Sequence, residues 1–259
     1  MSDLNQIVDL ELAIWNLAPR DAVPAAVMHP MAMNGGAVIA AVDPDIDHMI
    51  GMALAFPVRQ TEWMLWSHMT GVHPNYQNRG IGFALKQEQR RWALANGYNA
   101  IHWTYDPLQR GNANFNLRIL GAVTNTYHVD FYGVMTDSIN AGLPSDRVEI
   151  AWNLRDERVE RLANAQEPEA LDTSDEWFLL CRGANGEPIS TKFQTVLTTT
   201  LSIEIPYDLA ALKKSDADLA YRWRIALRET FQTAFAHGYV ADDFVVSSGR
   251  SWYSLHRLV

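Results

Sequence analysis

Residues 67–86, SHMTGVHPNYQNRGIGFALK, combine residue types and spacing suited to holding a phosphate group. Gln77, Asn78, Arg79, Gly80, Ile81 and Gly82 lie between a strand-like run and a helix-like run. Gly80 and Gly82 lack a Cβ, so a ligand can come close to the backbone there. The first amides of the following helix have no partner inside that helix and point outward. With the helix dipole behind them they form a site for phosphate. Arg79, Lys86, Arg90 and Arg91 add a local basic group, and Arg79 stands inside the loop itself. Guanidinium groups give phosphate strong, charge-assisted hydrogen bonds. Arg90 and Arg91 are adjacent and diverge by about 100° around a helix, so one of them is read as a solvated side chain.

The elements that must position this loop are legible on both sides. Residues 63–72 are rich in β-branched, aromatic and aliphatic side chains and predict a strand. Pro74 and Asn75 break it. A helix is predicted from 82 to about 96, ending near Gly97. Upstream, residues 4–16 have the apolar spacing of an amphipathic helix, and Asp21 is placed to cap a second helix with Pro24 early in it. Residues 37–42 and 48–56 read as strands, with 61–72 as hairpin partner to the second. Downstream come a strand at 100–105, a helix at 111–120 stopped by Gly121, and strands at 123–131 and 147–154. Hairpins followed by a strand–helix–strand unit predict an α/β protein with a mixed sheet that splays open around a ligand.

The run Gln77-Asn-Arg-Gly80-Ile-Gly82 matches the Q/R-x-x-G-x-G/A pattern of the GNAT superfamily of acyl-CoA-dependent N-acyltransferases. The chain resembles that superfamily over roughly residues 4–154. The resemblance implies that Gln77, Asn78, Arg79, Gly80, Ile81 and Gly82 hold the pyrophosphate of coenzyme A. It implies that the preceding strand bonds the pantetheine arm through its backbone, with an amide near Gly71 or Val72 serving the thioester carbonyl. Asn112 joins these candidate coenzyme A contacts. The implied co-substrate is acetyl-CoA, succinyl-CoA or a similar acyl-CoA, with no metal. The segment 103–116 together with SHMTGV and residues 140–146 resembles a poorly characterised prokaryotic branch with a long C-terminal extension. Some relatives in that branch N-acylate amino acids, succinyl transfer included. The implied acceptor is the amine of a small molecule or amino acid, and a homodimer is expected.

Such a transfer needs a neutral amine, a donor for the developing oxyanion and a proton for the leaving thiolate. Relatives often place a tyrosine near the sulfur, in a pattern like L-Y-x-K-x-G-F. Here Asn116 occupies that position in FNLRILGA. An amide can donate a hydrogen bond but cannot deliver a proton. Tyr105 or Tyr127 is an alternative. Asp106 is the first candidate base or ammonium binder, although Asp106-Pro107 also suits a turn that caps the next helix. His68 is the second, and a sheet histidine with no chemical role is its competing reading. Glu62 is expected to be solvated.

Composition narrows the alternatives. The chain has 259 residues, 48% hydrophobic and 20% charged, and a formal net charge of −9. That surface repels a polyanion, so nucleic acid is not an expected partner. One cysteine, Cys181, permits no intrachain disulfide and no cysteine-rich zinc site. His68, His73, His102 and His128 show neither H-x-x-x-H nor HExxH spacing, so no metal site is expected. No G-x-x-x-x-G-K-S/T loop suggests an NTPase, and no G-x-S-x-G elbow suggests a hydrolase. The N-terminus has no secretory pattern and no apolar run is long enough to span a membrane, which predicts a cytoplasmic protein without a membrane partner.

The expected organisation is an acyl-CoA-binding domain at 1–154, a polar connecting region with one short helix at 155–176, and an α/β extension at 177–259. In the extension, residues 198–205 alternate like a strand. Leu219, Trp223, Leu227, Phe231 and Phe235 recur every four residues as in a helix stopped by Gly238, and residues 240–246 and 252–255 read as strands. ALANGYNA at 93–100 echoes AFAHGYVA at 234–241. The echo suggests that the extension is a degenerate copy of half the glycine-loop unit, without a loop of its own between Pro206 and Ser215. Two other functions stay open at this point. One is other acyl-CoA chemistry on the same fold, such as decarboxylation or O-acyl transfer. The other is a non-catalytic acyl-CoA sensor.

Overall fold

The computed structural model describes residues 1–135, 141–169, 177–192 and 199–257. The chain is a mixed α/β protein forming two compact units, residues 1–103 with 153–156, and residues 104–152 with 157–259. This division runs differently from the expected 1–154 and 177–259, because residues 104–152 pack with the C-terminal part.

The first unit opens with α1 (Ser2–Trp15), a 3-10 turn at Pro19–Asp21 and α2 (Ala25–Met33). Asp21 ends the turn rather than capping α2, whose N-cap is Pro24. Strands β1 (Ala37–Asp43), β2 (His48–Arg59) and β3 (Trp63–Val72) form an antiparallel meander. Helix α3 (Ile81–Ala95) then crosses to β4 (Ala100–Tyr105), which runs parallel to β3. Ile7, Leu10 and Met28 from the first two helices bury Met52 and Leu54 of β2, with Trp15 and Met69 packed at the margin.

Two irregularities open one edge of β3. Leu54 faces Met69 and Ala55 faces Ser67, so His68 is the extra residue of a β-bulge. A bulge bends its strand and increases the local twist. The ladder between β3 and β4 has only two pairs, Leu65 with Ile101 and Trp66 with His102. From Ser67 onward this edge of β3 has parted from β4, just where the bulge turns the strand.

The second unit contains a short α4 (Arg110–Ala113) that continues as a π turn at Asn114–Ile119, where one α-helix had been expected. Strand β5 (Val123–His128) stops before the expected residue 131, because Asp130 enters a left-handed turn (φ +49°) and gives its N–H to Asp146. Next come β6 (Arg147–Asn153), α5 (Glu157–Ala163), β7 (Phe178–Arg182), β8 (Pro188–Ser190) and β9 (Thr200–Ile205). Residues 136–140, 170–176 and 193–198 lie outside the described residues, including parts of the expected 140–146 segment, the connecting region and the start of the 198–205 strand. α6 (Leu209–Ser215) and α7 (Ala217–Ala236) are capped by Asp208 and Asp216. β10 (Tyr239–Ser247) and β11 (Arg250–Arg257) close the chain as a hairpin. The strand order in this unit is β6-β5-β10-β11-β9-β7-β8. Of the apolar stripe of α7, Leu219, Trp223, Leu227 and Phe231 are buried as the four-residue spacing predicts, while Phe235 is only half-buried.

The expected copy of the glycine-loop unit does not extend to strand pairing. β3 and β4 are direct neighbours, whereas β11 lies between β9 and β10 and is antiparallel to both. What the two sequences share is local. Gly97 (φ +83°) and Gly238 (φ +81°) each end a helix in the left-handed conformation that glycine adopts without strain.

Candidate functional site

The loop between β3 and α3 is held by its own side chains. His73 Nδ1 accepts from the Asn75 N–H at 3.3 Å, and Gln77 Nε2 donates to the Val72 carbonyl at 3.1 Å. Arg79 donates to the Asn75 carbonyl at 3.1 Å, with its guanidinium carbon 5.2 Å from the centre of the Tyr76 ring. Asn78 (φ +60°) and Gly80 (φ +79°) both take left-handed conformations. This reverses the chain so that Gly80 becomes the N-cap of α3. No side chain caps the first turn of α3. Its amides are therefore presented outward, as phosphate binding requires.

Gly82 is the informative residue. It lies in the first turn of α3 without a positive φ, so its backbone does not need glycine. A Cβ there would meet only Val72 Cγ2, at 3.9 Å, so packing does not need glycine either. The open space lies beside the uncapped amides.

The other basic residues serve different purposes. Lys86 is buried, not turned to the loop. Arg90 donates to the Leu154 carbonyl at 3.0 and 2.6 Å, and Arg91 pairs with Glu88 on the surface. Of the expected basic group, Arg79 alone stays at the loop.

β3 carries His68, Gly71 and Val72 along its parted edge. The His68 ring lies 6.0 Å from the Phe56 ring, centre to centre. The residue reaches solvent, while protein packed around the ring lowers its pKa below the ordinary histidine value. It is thus a neutral, accessible imidazole near pH 7. Gly71 is closely packed, since a Cβ would lie 2.7 Å from Trp15 Cη2 and 3.0 Å from Ile14 Cδ1, so these side chains would have to shift to admit one. Glu62 is exposed, as expected.

The remaining candidates belong to the second unit. Asp106 is buried, and its Oδ1 accepts from Arg224 Nη2 at 2.7 Å and from the Leu108 N–H at 2.9 Å. The turn half of the Asp106-Pro107 reading describes this carboxylate, but Asp106 does not cap α4, whose N-cap is Gln109, and the arginine partner was not legible in the sequence. Asn112 is exposed on α4, and Asn116 is buried in the π turn. Tyr127 donates to Asp146 at 2.8 Å, and Tyr105 meets Tyr253 at 3.1 Å. Burial raises both phenol pKa values.

One cluster had not been anticipated. Lys86 Nζ donates to Ser67 Oγ at 2.9 Å and to Gln89 Oε1 at 3.0 Å, and sits 3.9 Å from the centre of the Trp103 ring. The signal was available. A helical stripe through Leu85, Gln89 and Ala93 also takes in Lys86.

The site is thus a mixed α/β scaffold with an uncapped helix start behind a glycine turn, beside a parallel strand pair that parts after two ladder positions. Residues 5–122 match the acetyltransferase (GNAT) family. A match to that family supports acyl transfer from an acyl-CoA. No curated protein matches the chain in sequence. Among solved structures, the ribosomal-protein-S18-alanine N-acetyltransferase of Escherichia coli is similar at 14% identity and a TM-score of 0.47, over 60% of this chain and 89% of that one. Naa20 of Chaetomium thermophilum, in complex with a bisubstrate analogue, is similar at 17% identity and a TM-score of 0.46, over 65% and 88%. A GNAT family acetyltransferase from Elizabethkingia anophelis with acetyl-CoA bound is similar at 14% identity and a TM-score of 0.40, over 49% and 82%.

Proposed function

We propose that this chain is an N-acyltransferase that moves an acetyl, succinyl or similar group from acyl-CoA to the amine of a small molecule or amino acid. The observation that carries the reading is Gly82, a glycine that neither backbone nor packing requires, beside amides that no side chain caps. A ligand approaching from outside explains both. In this reading the α3 amides and Arg79 hold the pyrophosphate, and the β3 edge bonds the pantetheine arm. An amide near Gly71 or Val72 polarises the thioester carbonyl. The acceptor nitrogen attacks the carbonyl carbon and gives its proton to His68, which is neutral and accessible. Asp106 is not assigned as base, because Arg224 and the Leu108 amide already occupy it.

The test is thermal stabilisation by coenzyme A, acetyl-CoA, succinyl-CoA and longer acyl-CoAs, with Gly82→Trp as control. A ligand that binds the folded state stabilises it by about 2.7 kcal/mol at a hundredfold excess over its Kd. The expected result is a shift with one acyl-CoA that the variant loses. No shift with any of them means that the glycine turn is only structural.

Asn116 favours a second reading, acyl-CoA chemistry with no amine acceptor, since its amide has no proton to give a leaving group. Product masses after incubation with malonyl-CoA alone, and with amines, separate the two.

A further inference from the structure

The proposed transfer needs a proton for the leaving thiolate, and Asn116, Tyr105 and Tyr127 do not provide one. Asn116 has no acidic proton. The Tyr127 hydroxyl hydrogen is committed to Asp146. Tyr253 gives its own hydrogen to the Pro107 carbonyl at 2.7 Å, which can only accept. The Tyr105 hydrogen is then the one that fills the Tyr105–Tyr253 contact.

Lys86 presents the opposite situation. It is 3% exposed, and its neighbours from β3, α3 and β4 are Ser67, Gln89 and Trp103, none of them ionisable. Among the described residues no carboxylate pairs with it. A buried ammonium without a counter-charge is costly, and an apolar side chain of similar volume would be favoured for stability alone. The cost is borne at one particular place. Ser67 precedes the His68 bulge and is the first residue of β3 beyond its ladder with β4. An arm anchored at the start of α3 and bonded along β3 runs back toward that residue. The Gln89 amide nitrogen beside Lys86 is fully buried and has no hydrogen-bond partner, so the cluster is not a closed, satisfied network.

We propose that Lys86 is the proton source for the leaving thiolate, acting through the Ser67 hydroxyl. The inference rests on the acyl-CoA reading above. As the C–S bond breaks, the sulfur takes the Ser67 hydroxyl proton and Ser67 takes a proton from the Lys86 ammonium; Lys86 then regains a proton from water as His68 releases the amine proton to water. The amine proton has meanwhile passed to His68, so charge and protons balance. Burial lowers the Lys86 pKa to about 7, which suits an acid that must give up its proton and regain it near neutral pH.

The experiment compares wild type, Lys86→Met and Ser67→Ala for thiol release from the best acyl-CoA over a range of pH, with stabilisation by that acyl-CoA measured alongside. Both variants should lose on the order of a hundredfold or more in kcat, with ligand-induced stabilisation retained. Lys86→Met should melt at or above the wild-type temperature, and its kcat profile should lack the alkaline limb near pH 7. Either variant turning over within about twofold of wild type, or the alkaline limb surviving in Lys86→Met, overturns the assignment and leaves the acyl-CoA reading intact. A wild-type protein that neither binds nor cleaves any acyl-CoA overturns both.

Discussion

A glycine inside a helix costs roughly 1 kcal/mol relative to alanine, and Gly82 bears that cost with no clash to relieve. Gly82→Ala should therefore raise the stability of the ligand-free protein by about 0.5–1 kcal/mol in urea unfolding. An unchanged or lowered stability would mean that glycine serves the fold after all, and would remove the argument for a ligand. His68 makes a second prediction at this scale. It accepts a proton only when neutral, and burial lowers its pKa from 6.5. The acid limb of kcat/KM should thus fall below the ordinary histidine range, with activity lost as pH drops through it. His68→Gln should lower kcat by roughly 10²–10⁴-fold and abolish that limb. The same limb persisting in the variant would assign it to another group.

Between residues and molecule stands the β3–loop–α3 element, and much of it was legible. Strand composition, Pro74 and the paired glycines marked its three parts because each acts locally. The bulge was not legible, because an extra residue in β3 exists only relative to its partner β2. The role of Gly71 was hidden for the same reason, since the Trp15 ring that crowds it comes from α1, far away in sequence. Asp106 is the corresponding case in the second unit. Its turn could be read from Asp-Pro, but Arg224 lies 118 residues along the chain. The burial of Lys86 runs against its residue type, since lysine is rarely buried, and only its place on the helical stripe with Leu85 and Gln89 signals it. The Gly71 contact carries a prediction. Gly71→Val should push α1 off β3 and cost on the order of 1–3 kcal/mol. At about 2–4 °C per kcal/mol for chains of this size, the melting temperature should fall by several degrees. A variant that melts like wild type would show that the Trp15 ring moves aside freely.

At the scale of the whole chain, sequence order and compactness disagree. Residues 104–152 precede α5, yet their core is completed by elements that come after it. Thr124 of β5 pairs with Ala241 of β10. Asp106 is neutralised by Arg224, Tyr127 lies against Phe231 with ring centres 5.9 Å apart, and the Leu117 carbonyl accepts from Arg158. A fragment ending at residue 154, the boundary expected from the sequence, would keep Asp106 and lose Arg224. Stranding one member of a buried ion pair costs about 3–5 kcal/mol. A domain has only about 5–15 kcal/mol of stability in total. The same truncation uncovers β5, whose free edge becomes a template for aggregation. The fragment 1–154 should therefore be insoluble or lack cooperative unfolding, although it contains the whole glycine loop and every residue matched to the family. Soluble expression, far-UV circular dichroism and stabilisation by acyl-CoA would measure this. A soluble fragment that unfolds cooperatively and is stabilised by acyl-CoA would make residues 1–154 a self-sufficient acyl-CoA-binding domain with an appended extension. An insoluble one makes the C-terminal residues part of the same folding unit as residues 104–152, and the extension then cannot be trimmed in any functional experiment.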